Sequence, residues 1–117
     1  MIRRVVAYAD GDDLAASRAF YVEVLGFDVA MESPVLGLTS PTNPTAQVLI
    51  PARGMENPAP RFGIDVGPPE AVDAAHREAV RRGLCVVHPL TDEWWGVRRF
   101  FVEDPSGTVV NVLAHVP

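Results

Sequence analysis

The side chains able to do chemistry in this chain are few, and their spacing narrows what they can do. The only cysteine, Cys85, and the nearest histidine, His88, stand three residues apart. On a strand that spacing turns them to opposite faces, so no thiolate–imidazole pair is expected. A single cysteine excludes an intrachain disulfide and a cysteine-based zinc site, and Cys85 reads as a small core residue. His76 falls on a helix edge and His115 near the chain's end, and no histidine has a second ligand at metal-site spacing. Ser17 lies in a helix and Ser106 in a turn, neither beside a base, and no glycine-rich phosphate cradle occurs. No catalytic residue, metal ligand or cofactor is expected from these spacings.

The remaining candidates bind rather than react. Trp94 and Trp95 are the only tryptophans and lie side by side in the turn-like segment 91–96. Such a pair offers a stacking surface to a flat ligand. Tyr8 on the first strand is a further candidate. Arg4 and Arg61 either clamp an anion or pair with Asp65 and Glu103.

The elements that must position these residues follow from periodicity and punctuation. Segment 2–9 alternates as a strand, with Arg4, Val6 and Tyr8 on one face and Val5, Ala7 and Ala9 on the other. The turn Asp10-Gly11-Asp12-Asp13 ends in a helix N-cap, and 14–25 reads as a helix stopped by Gly26. Strands follow at 27–31, 35–39 and 46–50, bounded by prolines. Residues 51–60 carry three prolines without a period and read as a connector. The order then recurs: a strand at 61–66, a helix at 69–82 entered through proline, and strands at 84–88, 97–103 and 108–114. One constant shift carries Arg4 onto Arg61, Ala9 onto Val66 and Gly26 onto Gly83. The expectation is a single domain over 1–117: module one 1–50, connector 51–60, module two 61–117. Pattern alone leaves open which face of strand 97–103 looks toward a cavity.

Composition bounds the partners. Apolar residues make 48% and charged residues 21%, and 15 acids against 10 bases give a net charge of -5. The bases are all arginine and occur at most in pairs, which speaks against nucleic acid. No apolar run approaches the roughly 20 residues that span a bilayer. With no signal-peptide pattern at the N-terminus, a cytoplasmic protein without a membrane partner is expected.

Two runs carry a family resemblance. Asp13-Leu14-Ala15-Ala16-Ser17-Arg18-Ala19-Phe20-Tyr21 with Leu25-Gly26-Phe27 resembles the opening of the vicinal oxygen chelate superfamily. Segment 95–107, from Trp95-Gly96 to Asp104-Pro105-Ser106-Gly107, resembles its closing hairpin. That superfamily includes glyoxalase I, extradiol dioxygenases, and fosfomycin- and bleomycin-resistance proteins.

The resemblance implies an α+β fold: two βαβββ modules forming an open concave mixed sheet with helices on the outer face. It implies a homodimer whose cavities bind a small molecule. Val5, Ala7 and Ala9, with Phe62, Ile64 and Val66, would then pack on the helices. Arg4, Val6 and Tyr8, with Arg61, Gly63 and Asp65, would line the cavity. Metal-dependent members take His, Glu or Gln ligands from the first strand of each module and from the last strand. Here residues 1–9 hold none of these, the second module offers Arg61, and the closing strand offers Asn111.

The chain is therefore closest in character to metal-free, bleomycin-resistance-like binding proteins. The expected function is sequestration of an aromatic or cationic ligand such as an antibiotic, through Tyr8, Arg61, Trp94, Trp95, Phe101 and Asn111. The alternative is a superfamily enzyme (lyase, isomerase or dioxygenase) with an atypical metal site or none.

Overall fold

The computed structural model describes residues 2–117. The chain runs β1 (Arg4–Tyr8), α1 (Leu14–Ala19), β2 (Asp28–Met31), β3 (Leu36–Thr39) and β4 (Gln47–Ile50), then β5 (Phe62–Asp65), α2 (Pro69–Arg81), β6 (Val86–Glu93), β7 (Val97–Glu103) and β8 (Val109–His115). Strand, helix and three strands thus occur twice. All eight strands join one open mixed sheet in the order β2-β3-β4-β1-β5-β8-β7-β6. The two halves meet where β1 pairs antiparallel with β5, Val6 opposite Gly63. Within each half the first strand runs parallel to the last, β1 with β4 and β5 with β8.

Local chemistry sets the helix ends. Asp13 caps α1 by accepting a bond from the Ala16 N–H at 3.1 Å. The helix then departs from the continuous α form its periodicity suggests, widening into a π-helical turn over Phe20–Val24. That turn delivers Tyr21 and Val22 onto a core of Leu36, Leu38 and Ile50, and sets Tyr21 edge-on to Phe27 at 6.0 Å. In the second half, α2 buries Val72 and Ala79 against Phe100, Val110, Val112 and Ala114.

Three expectations are corrected. Val5 is 55% exposed and Ala7 is also exposed, because the turn after α1 packs over β2–β4 and leaves the outer face of β1 bare. Cys85 is exposed rather than a core residue. Strand β6 does not end at His88: it runs on to Glu93 because Thr91, Asp92 and Glu93 pair with Arg99, Arg98 and Val97. Only Trp94, Trp95 and Gly96 are left to turn the chain, with Gly96 at φ 87°. The open question on β7 is settled: Phe100 faces α2 and Arg98 binds Asp73 of that helix at 3.1 Å, so Val97, Arg99 and Phe101 face the concave side. No helix among the described residues is long and apolar enough to cross a membrane.

Candidate functional site

The concave face of the sheet encloses a cavity of about 310 Å³. Strand alternation supplies its walls. Val6 of β1, Gly37 of β3 and Leu49 of β4 line one half, Val97 of β7 and Leu113 of β8 the other, and Met31 closes the β2 side. Polar groups gather in two places against this apolar lining.

The first is built around Arg99, 5% exposed as a residue. Its Nε donates to Glu93 Oε2 at 2.7 Å and its Nη1 to Glu56 Oε1 at 2.8 Å. The guanidinium lies 5.0 Å from the Trp95 ring centre and 4.7 Å from that of Phe101, so it is stacked as well as paired. Burial works to lower the arginine's pKa, but Glu56 and then Glu93 outweigh it and hold it above the ordinary value. Two largely buried carboxylates, Glu56 and Glu93, share this one guanidinium. His88 Nε2 stands 3.5 Å from Glu93 Oε2, with its ring tilted over Phe101.

Beside this group, Asn111 Nδ2 donates to the Tyr8 hydroxyl at 2.7 Å. Burial pushes the Tyr8 phenol up from its usual pKa, and the Asn111 bond and the Arg99 charge offset this only in part. The second polar place lies at the other end of the cavity. There Arg4 Nε donates to Asp65 Oδ2 at 2.9 Å, and its other nitrogens reach Gln47 Oε1 and His115 Nε2. Of the two fates open to Arg4, the ion pair with Asp65 is the one observed.

The structure distributes the expected ligand-binding residues unequally. Tyr8, Trp95 and Asn111 line the cavity. Phe101 is 1% exposed and lies under Arg99, so it supports the wall without reaching the space. Trp94 projects from the β6–β7 turn, 78% exposed and edge-on to Trp95, because a tight turn sends neighbouring side chains in different directions. Arg61 is exposed and lines an adjoining cleft, which meets the cavity at Tyr8 and Glu56.

Sequence reasoning passed over Glu56 and Glu93. Glu56 is the one acid in the proline-rich connector 51–60, and that isolation was a usable signal. Glu93 falls within the turn-like segment 91–96, a pattern that hides its register opposite Val97. His115 and Leu113 follow from Asn111 by the two-residue period of a strand.

The positions where metal-dependent relatives carry ligands do not fit a divalent ion. Arg4 brings a guanidinium held by Asp65, Arg61 a second cation, and Asn111 a carboxamide already bonded to Tyr8. Among the described residues no three His, Cys, Asp or Glu side chains converge as a metal cluster.

Comparison with known proteins places this architecture. Methylmalonyl-CoA epimerase from Mycobacterium tuberculosis superposes with a TM-score of 0.74 at 16% identity, over 99% of this chain and 88% of that one. Homoprotocatechuate 2,3-dioxygenase from Brevibacterium fuscum, in complex with 3,4-dihydroxyphenylacetate, gives 0.74 at 26% identity, over 98% of this chain but only 37% of the dioxygenase. A superfamily member from Vibrio splendidus 12B01 gives 0.60 at 18% identity, over 97% and 99% of the two chains. No curated protein matches the sequence. The family model described as Glyoxalase/Bleomycin resistance protein/Dioxygenase superfamily matches residues 7–112. With the βαβββ repeat and the concave cavity already in place, that match across nearly the whole chain settles the kinship: this protein belongs to the glyoxalase/bleomycin resistance/dioxygenase superfamily.

Proposed function

We propose that this protein sequesters a small aromatic or cationic molecule, such as an antibiotic, in the concave cavity, and does so without a metal. The observation that carries the reading is the Arg99 group. An apolar-walled space of about 310 Å³ ends in a stacked Trp95–Arg99 surface whose guanidinium is shared by two largely buried carboxylates. A flat ligand gains area burial at roughly 25 cal/mol per Å², and a positive charge on it meets those carboxylates. The donor set of Arg4, Arg61 and Asn111 supports a site that works by shape and stacking. We further infer that a second copy covers the bare outer face of β1, where Val5 is 55% exposed and Ala7 is exposed beside it.

The test is a thermal-shift panel of bleomycins, mitomycin-like quinones, quinoxaline peptides and simple aromatic acids, run with chelator and again with nickel, zinc, manganese or iron(II). Stabilisation by one class, unchanged by chelator, is expected. Stabilisation or turnover that requires a metal, bound at one ion per chain, overturns the reading in favour of a superfamily enzyme.

A further inference from the structure

Resting on the reading that the cavity holds a ligand, we propose that the Tyr8–Asn111 pair recognises a cis-amide edge, as in a lactam or imide. Asn111 is 2% exposed and is one of the residues lining the cavity. Its Nδ2 donates to the Tyr8 hydroxyl oxygen at 2.7 Å, while its Oδ1 has no hydrogen-bond partner among the described residues. Buried amide oxygens are ordinarily paired, and an unpaired one is costly. Tyr8, having accepted a bond, still has its own proton to give, and burial keeps that proton in place.

The pair therefore presents one donor and one acceptor on neighbouring side chains. Turning the Asn111 amide over does not change that count. Tyr8 would then donate to Oδ1 and offer a lone pair, while Nδ2 would offer an N–H. In both arrangements the complement is a donor beside an acceptor, which an N–H next to a C=O supplies on one rigid edge. A carboxylate only accepts and an ammonium only donates, so each leaves one member of the pair unmatched. Cis-amides carry both on adjacent atoms of one edge.

Gly63 lies beside Asn111 across the β5–β8 pairing, and a Cβ there would stand 3.1 Å from Leu113 Cδ2 and 3.5 Å from Tyr8 Cε1, so the absence of a side chain leaves room for the Tyr8 ring. The ring of a bicyclic lactam would lie along the apolar lining formed by Val6, Leu49 and Leu113.

Calorimetric titration with quinolin-2(1H)-one, its N-methyl derivative and quinoline tests the inference. The lactam should bind at least about tenfold more tightly than either analogue, the cost of leaving one buried polar atom unpaired. That preference should vanish in Asn111→Leu, which removes both the amide acceptor and the bond to Tyr8, with thermal unfolding confirming that the variant is folded. Equal affinity for all three compounds in the wild type overturns the amide inference and leaves the cavity reading standing. A preference that survives in folded Asn111→Leu also overturns it. Failure of all three to bind overturns the inference and counts against an aromatic-binding cavity as well.

Discussion

Burial and charged neighbours act on both Tyr8 and Arg99, and each makes a measurable claim. Burial raises the Tyr8 pKa, so its protonated form is favoured in the folded chain. The stability this contributes is intact below the ordinary tyrosine value and is lost as pH rises through the higher folded one. Subtracting the ultraviolet titration of Tyr8→Phe from that of the wild type should isolate a phenol ionising above pH 10.0, its unperturbed value. A difference curve centred at or below that value contradicts the burial argument. Arg99 is the sole guanidinium between two carboxylates that are themselves 7% and 14% exposed. Arg99→Ala strands both, and the expected loss is about 3–5 kcal/mol in urea unfolding, typical of breaking a buried ion pair from one side. A loss below about 1 kcal/mol, the scale of a surface pair, would mean the group is solvated.

At the scale of elements, β7 divides the molecule: Phe100 looks to the helix and Phe101 to the site. Phe100 packs against Val72 and Ala79 of α2 and sits edge-on to His76 at 5.1 Å. Phe100→Ala should cost about 3–5 kcal/mol while leaving the cavity lining in place, because the void opens on the opposite side of the sheet. Ligand affinity lost in proportion to stability would contradict that separation. The elements were largely legible in the sequence because two-residue alternation, proline boundaries and glycine stops all agree, as at Gly26 and Gly83. The π-helical turn and the bare face of β1 were not legible. Both depend on where Tyr21 and Val22 find their core, which is a tertiary fact. The site was legible in part for the same reason. Tyr8 and Asn111 lie on strands with a readable period, whereas Glu56 reaches Arg99 from an aperiodic connector. Trp94 and Trp95 are adjacent residues in a turn, where period says nothing about direction.

At the scale of the whole molecule, two βαβββ modules share one sheet, and its two faces have different work. The concave face holds the cavity, and the outer face leaves Val5, Phe20 and Val24 exposed. If a second copy covers β1, Val5→Asp should convert a dimer to a monomer in sedimentation equilibrium. A wild type that stays monomeric at high concentration contradicts the covering. The central claim is that the concave face binds a ligand against Trp95. The two tryptophans make this separable, since Trp95 lines the cavity and Trp94 is 78% exposed outside it. The most direct measurement is a fluorescence titration of Trp94→Phe and Trp95→Phe with the compound that most stabilises the wild type. Saturable quenching retained in Trp94→Phe and lost in Trp95→Phe is the expected result; quenching that follows Trp94 instead, or persists without Trp95, would contradict the account.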